Sequence, residues 1–253
     1  MTNLFGLKGR TVLITGASSG IGRQCAISCS EQGANVVLLG RREDALQETA
    51  AQCRPDSAHI IAVDMQDYSA LMSAVKAGMD VKGPISGVIH SAGVSTTLPL
   101  RAFRPSKLED MLRVNVVGAL ELTRLICKKA YFSKDGGSII FLSSVMGSVG
   151  EKGKFMYGAT KGAVVAATKS LAVELAPRRI RVNCISPGVV VTPMSTEAVY
   201  SQTEEQLAII TAKHPLGLGT VSDVANSCIF LLSDAARWIT GTNLHVDGGY
   251  TAQ

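Results

Sequence analysis

From Thr11 to about Cys184, short apolar runs alternate with amphipathic stretches of helical period. The strand-like runs are Thr11 to Ile14, Asn35 to Leu39, His59 to Val63, Gly87 to His90, Ser138 to Leu142 and Arg181 to Ile185, with Asn243 to Val246 following near the end. Strand, crossover helix and next strand in this rhythm specify parallel pairing, because a strand that returns through a helix re-enters the sheet in the same direction. Right-handed crossovers then wind the chain into an open α/β sheet of seven strands with helices on both faces. Ligands of such sheets sit beyond the carboxyl ends of the strands. No linker interrupts the pattern, so residues 1–253 read as a single domain.

Composition supports this reading. The 253 residues are 46% hydrophobic, with mean hydropathy +0.24, enough for an ample core. No apolar stretch reaches the roughly 20 residues that span a bilayer, and Met1 to Arg10 lacks the apolar segment of a secretory signal. A soluble, cytosolic protein is expected. Cys25, Cys29, Cys53, Cys127, Cys184 and Cys228 lie among apolar neighbours without a CxxC pair and read as reduced core residues. Cys25 and Cys29 could face one another on a helix, but no histidine lies nearby to complete a zinc site, and no metal is expected. The formal charge of +5 and pI near 8.9 favour anionic ligands, yet no basic tract suits nucleic acid.

Three stretches carry chemistry. Thr15-Gly-Ala-Ser-Ser-Gly-Ile-Gly22 joins the first apolar run to a helical segment, and its glycines let backbone approach a pyrophosphate at a helix N-terminus. A plain turn has the same composition. Tyr157 and Lys161, four apart, project from one helix face, where the ammonium favours the phenolate and lowers the tyrosine pKa. Such a pair is an acid/base device or a solvated surface pair. Ser144 closes another strand-like run one loop upstream.

Taken together, the TGxxxGxG loop, the serine and YxxxK resemble the short-chain dehydrogenase/reductase family, whose pattern the chain matches over almost its whole length. The general pattern is nearest to bacterial 3-oxoacyl-[acyl-carrier-protein] reductase-like members. The resemblance implies a Rossmann-type doubly wound sheet and a nicotinamide cofactor held by Gly16, Ser18, Ser19, Gly20, Ile21 and Gly22. Asp64 resembles the aspartate that accepts from the adenine amino group, with the Met65 N–H beside it; an aspartate after a strand also commonly caps a helix. His90-Ser91-Ala92-Gly93 keeps only the last two residues of the family's NNAG turn. The turn is expected to survive with altered bracing, since serine can also bond backbone. A catalytic role for His90 is conceivable, although a histidine at a strand end is more often structural. Asn115, in a helical stretch running from about Lys107 to Tyr131, matches the asparagine whose carbonyl holds a water leading from the lysine to solvent. Ser186-Pro187-Gly188 through Val190 to Thr192 resembles the segment that seats the nicotinamide, where Pro187 and Gly188 could equally be loop punctuation.

The residue closing the second run selects the cofactor. Gly40 offers no carboxylate to a ribose 2′-hydroxyl, and Arg41 and Arg42 offer guanidinium groups to a 2′-phosphate, which points to NADP(H); an Arg-Arg pair is otherwise a solvated face. In mechanism, Tyr157 is the expected proton donor, Lys161 its electrostatic partner and a ribose ligand, Ser144 the holder of the substrate oxygen, and Asn115 part of the reprotonation route. Residues 193–218 correspond to a substrate lid, with Met194, Tyr200, Leu207, Ile209, Ile210 and Leu216 giving it an apolar character. Three readings stay open: a 3-oxoacyl thioester reductase of fatty-acid biosynthesis, with Lys128, Lys129, Arg178 and Arg179 facing an acyl carrier protein; a sugar, polyol, steroid or small-alcohol dehydrogenase; and a non-catalytic NADPH-binding protein. The four intact site residues argue against the last. The resemblance also implies a homotetramer.

Overall fold

The computed structural model describes residues 3–128, 130–196 and 203–253. Seven strands form one parallel sheet in the order β3-β2-β1-β4-β5-β6-β7: β1 Thr11–Thr15, β2 Asn35–Gly40, β3 Ala58–Ala62, β4 Gly87–His90, β5 Gly137–Leu142, β6 Ile180–Pro187 and β7 Asn243–Val246. Every run read from the sequence is a strand, with ends moved by a residue or two where ladder bonds continue into polar or glycine positions.

Alternation along the strands divides the core. Val12 and Ile14 of β1 point to one face, where they meet Cys25 and Cys29 of α1 (Gly20–Glu31), Leu46 of α2 (Glu43–Ala51) and Val224 and Cys228 of α9 (Val221–Leu232). Leu13 points to the other. There it joins Leu71 and Val75 of α3 (Tyr68–Lys82), Leu122 and Leu125 of α5 (Gly118–Ile126) and Val164 of α6 (Phe155–Leu175). Both faces are buried, which is why the strands read as nearly continuous apolar runs. The six cysteines are free, and no cluster of metal-ligating side chains occurs among the described residues. No helix among them is long and apolar enough to cross a membrane.

One helical expectation needs correction. The stretch expected to be continuous from about Lys107 to Tyr131 is instead α4 (Pro105–Leu112), a π-helical turn (Arg113–Val117) and α5, which ends at Ile126. In the π turn the Gly118 N–H donates to the Arg113 carbonyl, so one extra residue is accommodated at Asn115. Gly118 is required just beyond it, since a Cβ there would lie 2.6 Å from the Met65 carbonyl oxygen. The helix stops early because residues near Phe132 turn back to pair with Ile85 at the base of β4.

Candidate active site

The strand order reverses between β1 and β4, and the loops that follow these two strands part there to open a cleft at the carboxyl ends. The cleft has a volume of about 410 Å³ and runs from Arg41 and Arg42 past Asp64 and Met65 to Tyr157, Lys161 and Thr192. Gly16, Ser18, Ser19, Gly20, Ile21, Ser91, Ala92, Gly93 and Pro187 line it as well. A second cavity of about 150 Å³ adjoins it and is lined by Ser144, Gly188 and Val190. Tyr157 borders both.

The glycine loop is shaped by close approach. A Cβ on Gly22 would lie 2.3 Å from the Gly16 carbonyl oxygen, so only glycine lets the turn fold onto α1. Ser19 occupies the N-cap of α1 without a side-chain capping bond, which leaves first-turn N–H groups to the cleft. Thr15, which the sequence reading did not single out, braces the neighbouring turn: its Oγ1 accepts from the N–H groups of Ser91 (3.1 Å) and Ala92 (3.0 Å). The turn after His90 is thus braced from the adjacent strand.

His90 is buried and borders neither cavity. Its ring stacks on Phe141 with centroids 4.7 Å apart, and Nε2 lies 2.9 Å from Thr123 Oγ1. Thr123 donates its own proton to the Ala119 carbonyl, so Nε2 carries the imidazole proton, and buried Nδ1 has no partner among the described residues. Burial lowers the His90 pKa from 6.5 to about 3, and the residue is a neutral packing element. A depressed pKa of this kind contributes stability that is complete above about pH 6.5 and is lost as pH falls towards 3, by at most ~1.4 kcal/mol per pH unit. The urea midpoint is therefore expected to drop between pH 7 and pH 5, and to drop less in His90→Asn. An equal drop in both proteins would refute this assignment.

Asp64 lies two residues beyond β3 and accepts from the Gln66 N–H at 2.9 Å; the helix cap is Asp67, which accepts from Ala70. Capping therefore does not account for Asp64. Arg41 and Arg42 are exposed at the end of β2, with no ion pair among the described residues.

Tyr157 and Lys161 share one face of α6, with Lys161 Nζ 5.6 Å from the phenol ring centroid. The lysine is buried and donates to the Leu142 carbonyl at 2.7 Å, and desolvation lowers its pKa from 10.5 to about 8. Ser143 Oγ donates to the Lys161 carbonyl at 2.9 Å and so fixes the strand end against the helix. Ser144, the next residue, accepts from the Met146 N–H at 3.2 Å and opens onto the smaller cavity. Asn115 lies behind the cleft: Oδ1 accepts from Val94 N–H at 2.8 Å, and Nδ2 donates to the Val94 carbonyl (2.9 Å) and to Thr160 Oγ1 (3.0 Å). Its side chain joins the β4 loop to α6.

At the far side, buried His214 accepts from the Val189 N–H at 3.0 Å through Nε2, while Nδ1 faces the Ile210 carbonyl at 2.8 Å. It ties the segment after β6 to α8 (Glu204–Ala212), although only its chain position after Ile210 hinted at this. Met194 of α7 (Pro193–Thr196) borders both cavities, whereas Tyr200 lies outside the described residues.

This sheet, loop and serine–tyrosine–lysine set define a nucleotide-dependent oxidoreductase scaffold, and the chain belongs to the short-chain dehydrogenase/reductase family. A family model described as Enoyl-(Acyl carrier protein) reductase matches residues 16–251. The chain is 34% identical over 245 residues to a 3-oxoacyl-[acyl-carrier-protein] reductase FabG of Staphylococcus aureus, covering 95% of this chain and 97% of the relative. It is also 32% identical over 251 residues to an NADP-dependent (R)-specific alcohol dehydrogenase of Lentilactobacillus kefiri, covering 98% of each. A solved short-chain type dehydrogenase/reductase from Mycobacterium ulcerans superposes with a TM-score of 0.89 at 31% identity, covering 98% of this chain and 92% of the other. Members of the family bind nicotinamide cofactors and act on CH–OH groups.

Proposed function

We propose that the protein is an NADP(H)-dependent oxidoreductase interconverting a carbonyl compound and a secondary alcohol. The observation that carries this is the phenol of Tyr157, which borders the elongated cleft and the smaller cavity at once, with a buried ammonium on its cleft side. The residues fit a dinucleotide. The uncapped α1 N-terminus suits a pyrophosphate, Asp64 and Met65 flank the space for an adenine, and Pro187 to Thr192 border the space for the nicotinamide.

The bound cofactor supplies a hydride to the carbonyl carbon, or takes one back from the alcohol. Tyr157 gives the carbonyl oxygen its proton in the same step, so the carbonyl gains two electrons and two hydrogens. Lys161 favours the phenolate that remains and would bond the ribose hydroxyls of a bound cofactor. Ser144 holds the substrate oxygen beside the phenol, and Asn115 belongs to the path by which Tyr157 recovers a proton from solvent.

Arg41 and Arg42 favour NADPH, because no carboxylate replaces Gly40 at the end of β2 and both guanidinium groups border the cleft. Arg41→Ala is expected to weaken NADPH binding about tenfold or more, as loss of a charge-assisted hydrogen bond does, and to leave NADH nearly unaffected. Fluorescence titration of both nucleotides checks this, and equal weakening would remove the basis for the preference.

Two substrate readings remain. Relatedness to FabG proteins supports a 3-oxoacyl thioester. The carrier-docking part of that reading has thinner support, since Arg178 and Arg179 precede β6 at its amino-terminal end, opposite the cleft, and Lys129 lies outside the described residues. Relatedness to the NADP-dependent (R)-specific alcohol dehydrogenase supports a small ketone or alcohol. Nicotinamide absorbance with acetoacetyl thioesters and with a panel of small ketones and sugars separates the two. Turnover of none of these, nor of short oxo acids, would refute the oxidoreductase reading. The reading includes a cytosolic homotetramer and a lid over residues 193–218.

A further inference from the structure

Tyr157 stands between two ammonium groups, of which Lys161 is only the first. Lys154, the N-cap residue of α6, lies three positions before the tyrosine and so on the same helix face. Its Nζ is 5.9 Å from the phenol centroid and 3.5 Å from Ser95 Oγ. The two lysines open onto different spaces. Lys161 lines the larger cleft with the glycine loop, whereas Lys154 lines the smaller cavity with Ser144, Glu151 and Met146.

This division carries the argument, which rests on the oxidoreductase reading above. If the dinucleotide fills the Lys161 side, the remainder of the substrate extends from the phenol into the Lys154 side. Lys154 is half-buried, and burial lowers its pKa despite the opposing field of Glu151. It forms no ion pair among the described residues. An ammonium partly stripped of water, which feels Glu151 but is in no ion pair with it, gains from an anionic ligand. We propose that Lys154 determines specificity by binding a carboxylate carried by the substrate next to the reacting carbonyl, which makes short oxo acids and hydroxy acids the substrate class. The short separation between the ammonium and the phenol ring limits the spacing to one or two carbons, as in 2-oxo and 3-oxo acids. The cavity, about 150 Å³, suits a short chain.

The decisive measurement does not depend on turnover. In Tyr157→Phe saturated with NADP⁺, 2-oxobutanoate and acetoacetate are titrated calorimetrically beside their methyl esters. At least one acid is expected to bind about ten- to hundredfold more tightly than its ester, and Tyr157→Phe/Lys154→Met is expected to lose that difference. Equal affinity of acid and ester in both pairs overturns the proposal, as does a preference that survives Lys154→Met. With Tyr157 intact, the ratio of kcat/KM for acid over ester is expected to fall by a similar factor in Lys154→Met, chiefly through KM, and to recover in part in Lys154→Arg. A protein that binds the acids through Lys154 yet reduces no carbonyl compound upholds the carboxylate site and sinks the oxidoreductase reading, and with it the assignment of these acids as substrates.

Discussion

Tyr157→Phe is expected to bind nucleotide as the wild type does and to lose about 10²–10⁴-fold in kcat, the range supplied by a positioned proton donor. The substitution removes one oxygen and keeps the ring, which borders both cavities and lies near Lys154 and Lys161. Packing is therefore preserved while the donor is lost. Steady-state kinetics with a ketone that the wild type reduces, together with fluorescence titration of NADPH, separates the two effects. A variant with wild-type kcat would remove Tyr157 from the chemistry.

Lys161→Met is expected to abolish measurable reduction and to stabilise the protein. The ammonium is buried, donates to the Leu142 carbonyl, and has a pKa lowered to about 8. The folded state thus binds fewer protons than the unfolded chain between about pH 8 and pH 10.5, and below pH 8 it carries the full cost of the buried charge. Methionine has similar length and no charge, but it leaves the Leu142 carbonyl without this donor. The net gain is expected to be about 1–2 kcal/mol at pH 7, or several degrees in Tm, shrinking towards zero or below above pH 10.5. Thermal melts at pH 7 and pH 10.5 check the sign. A destabilised variant at pH 7 would show that the site holds its lysine without strain. A stabilising loss-of-function change is the usual mark of a residue retained for activity.

Much of this site can be read directly from the chain. Gly16, Gly20 and Gly22 stand between an apolar run and a helix, and Tyr157 and Lys161 are separated by about one helical turn, so neighbours in sequence suffice to bring them together. Other parts were not legible for a definable reason. Thr15 braces the turn after β4 only because β1 and β4 are adjacent, although more than seventy residues separate Thr15 from Ser91. The π turn at Asn115 sits beside a close backbone approach of Gly118 to Met65, two segments with no shared local pattern. Lys154 was visible at three residues before Tyr157, but a lysine at a helix start is ordinarily solvated, and its burial is a tertiary property.

Sequence alone determined the succession of strands and helices, the glycine turn after β1 and the phenol–ammonium pair, because periodicity, glycine and helical spacing act within a few residues. Tertiary structure decided that the sheet reverses between β1 and β4, that His90 packs as a neutral ring on Phe141, and that Tyr157 divides two spaces with a different lysine in each. Those outcomes depend on which distant surfaces are desolvated against each other, and burial changes the chemistry of a histidine or a lysine more than its sequence neighbours do.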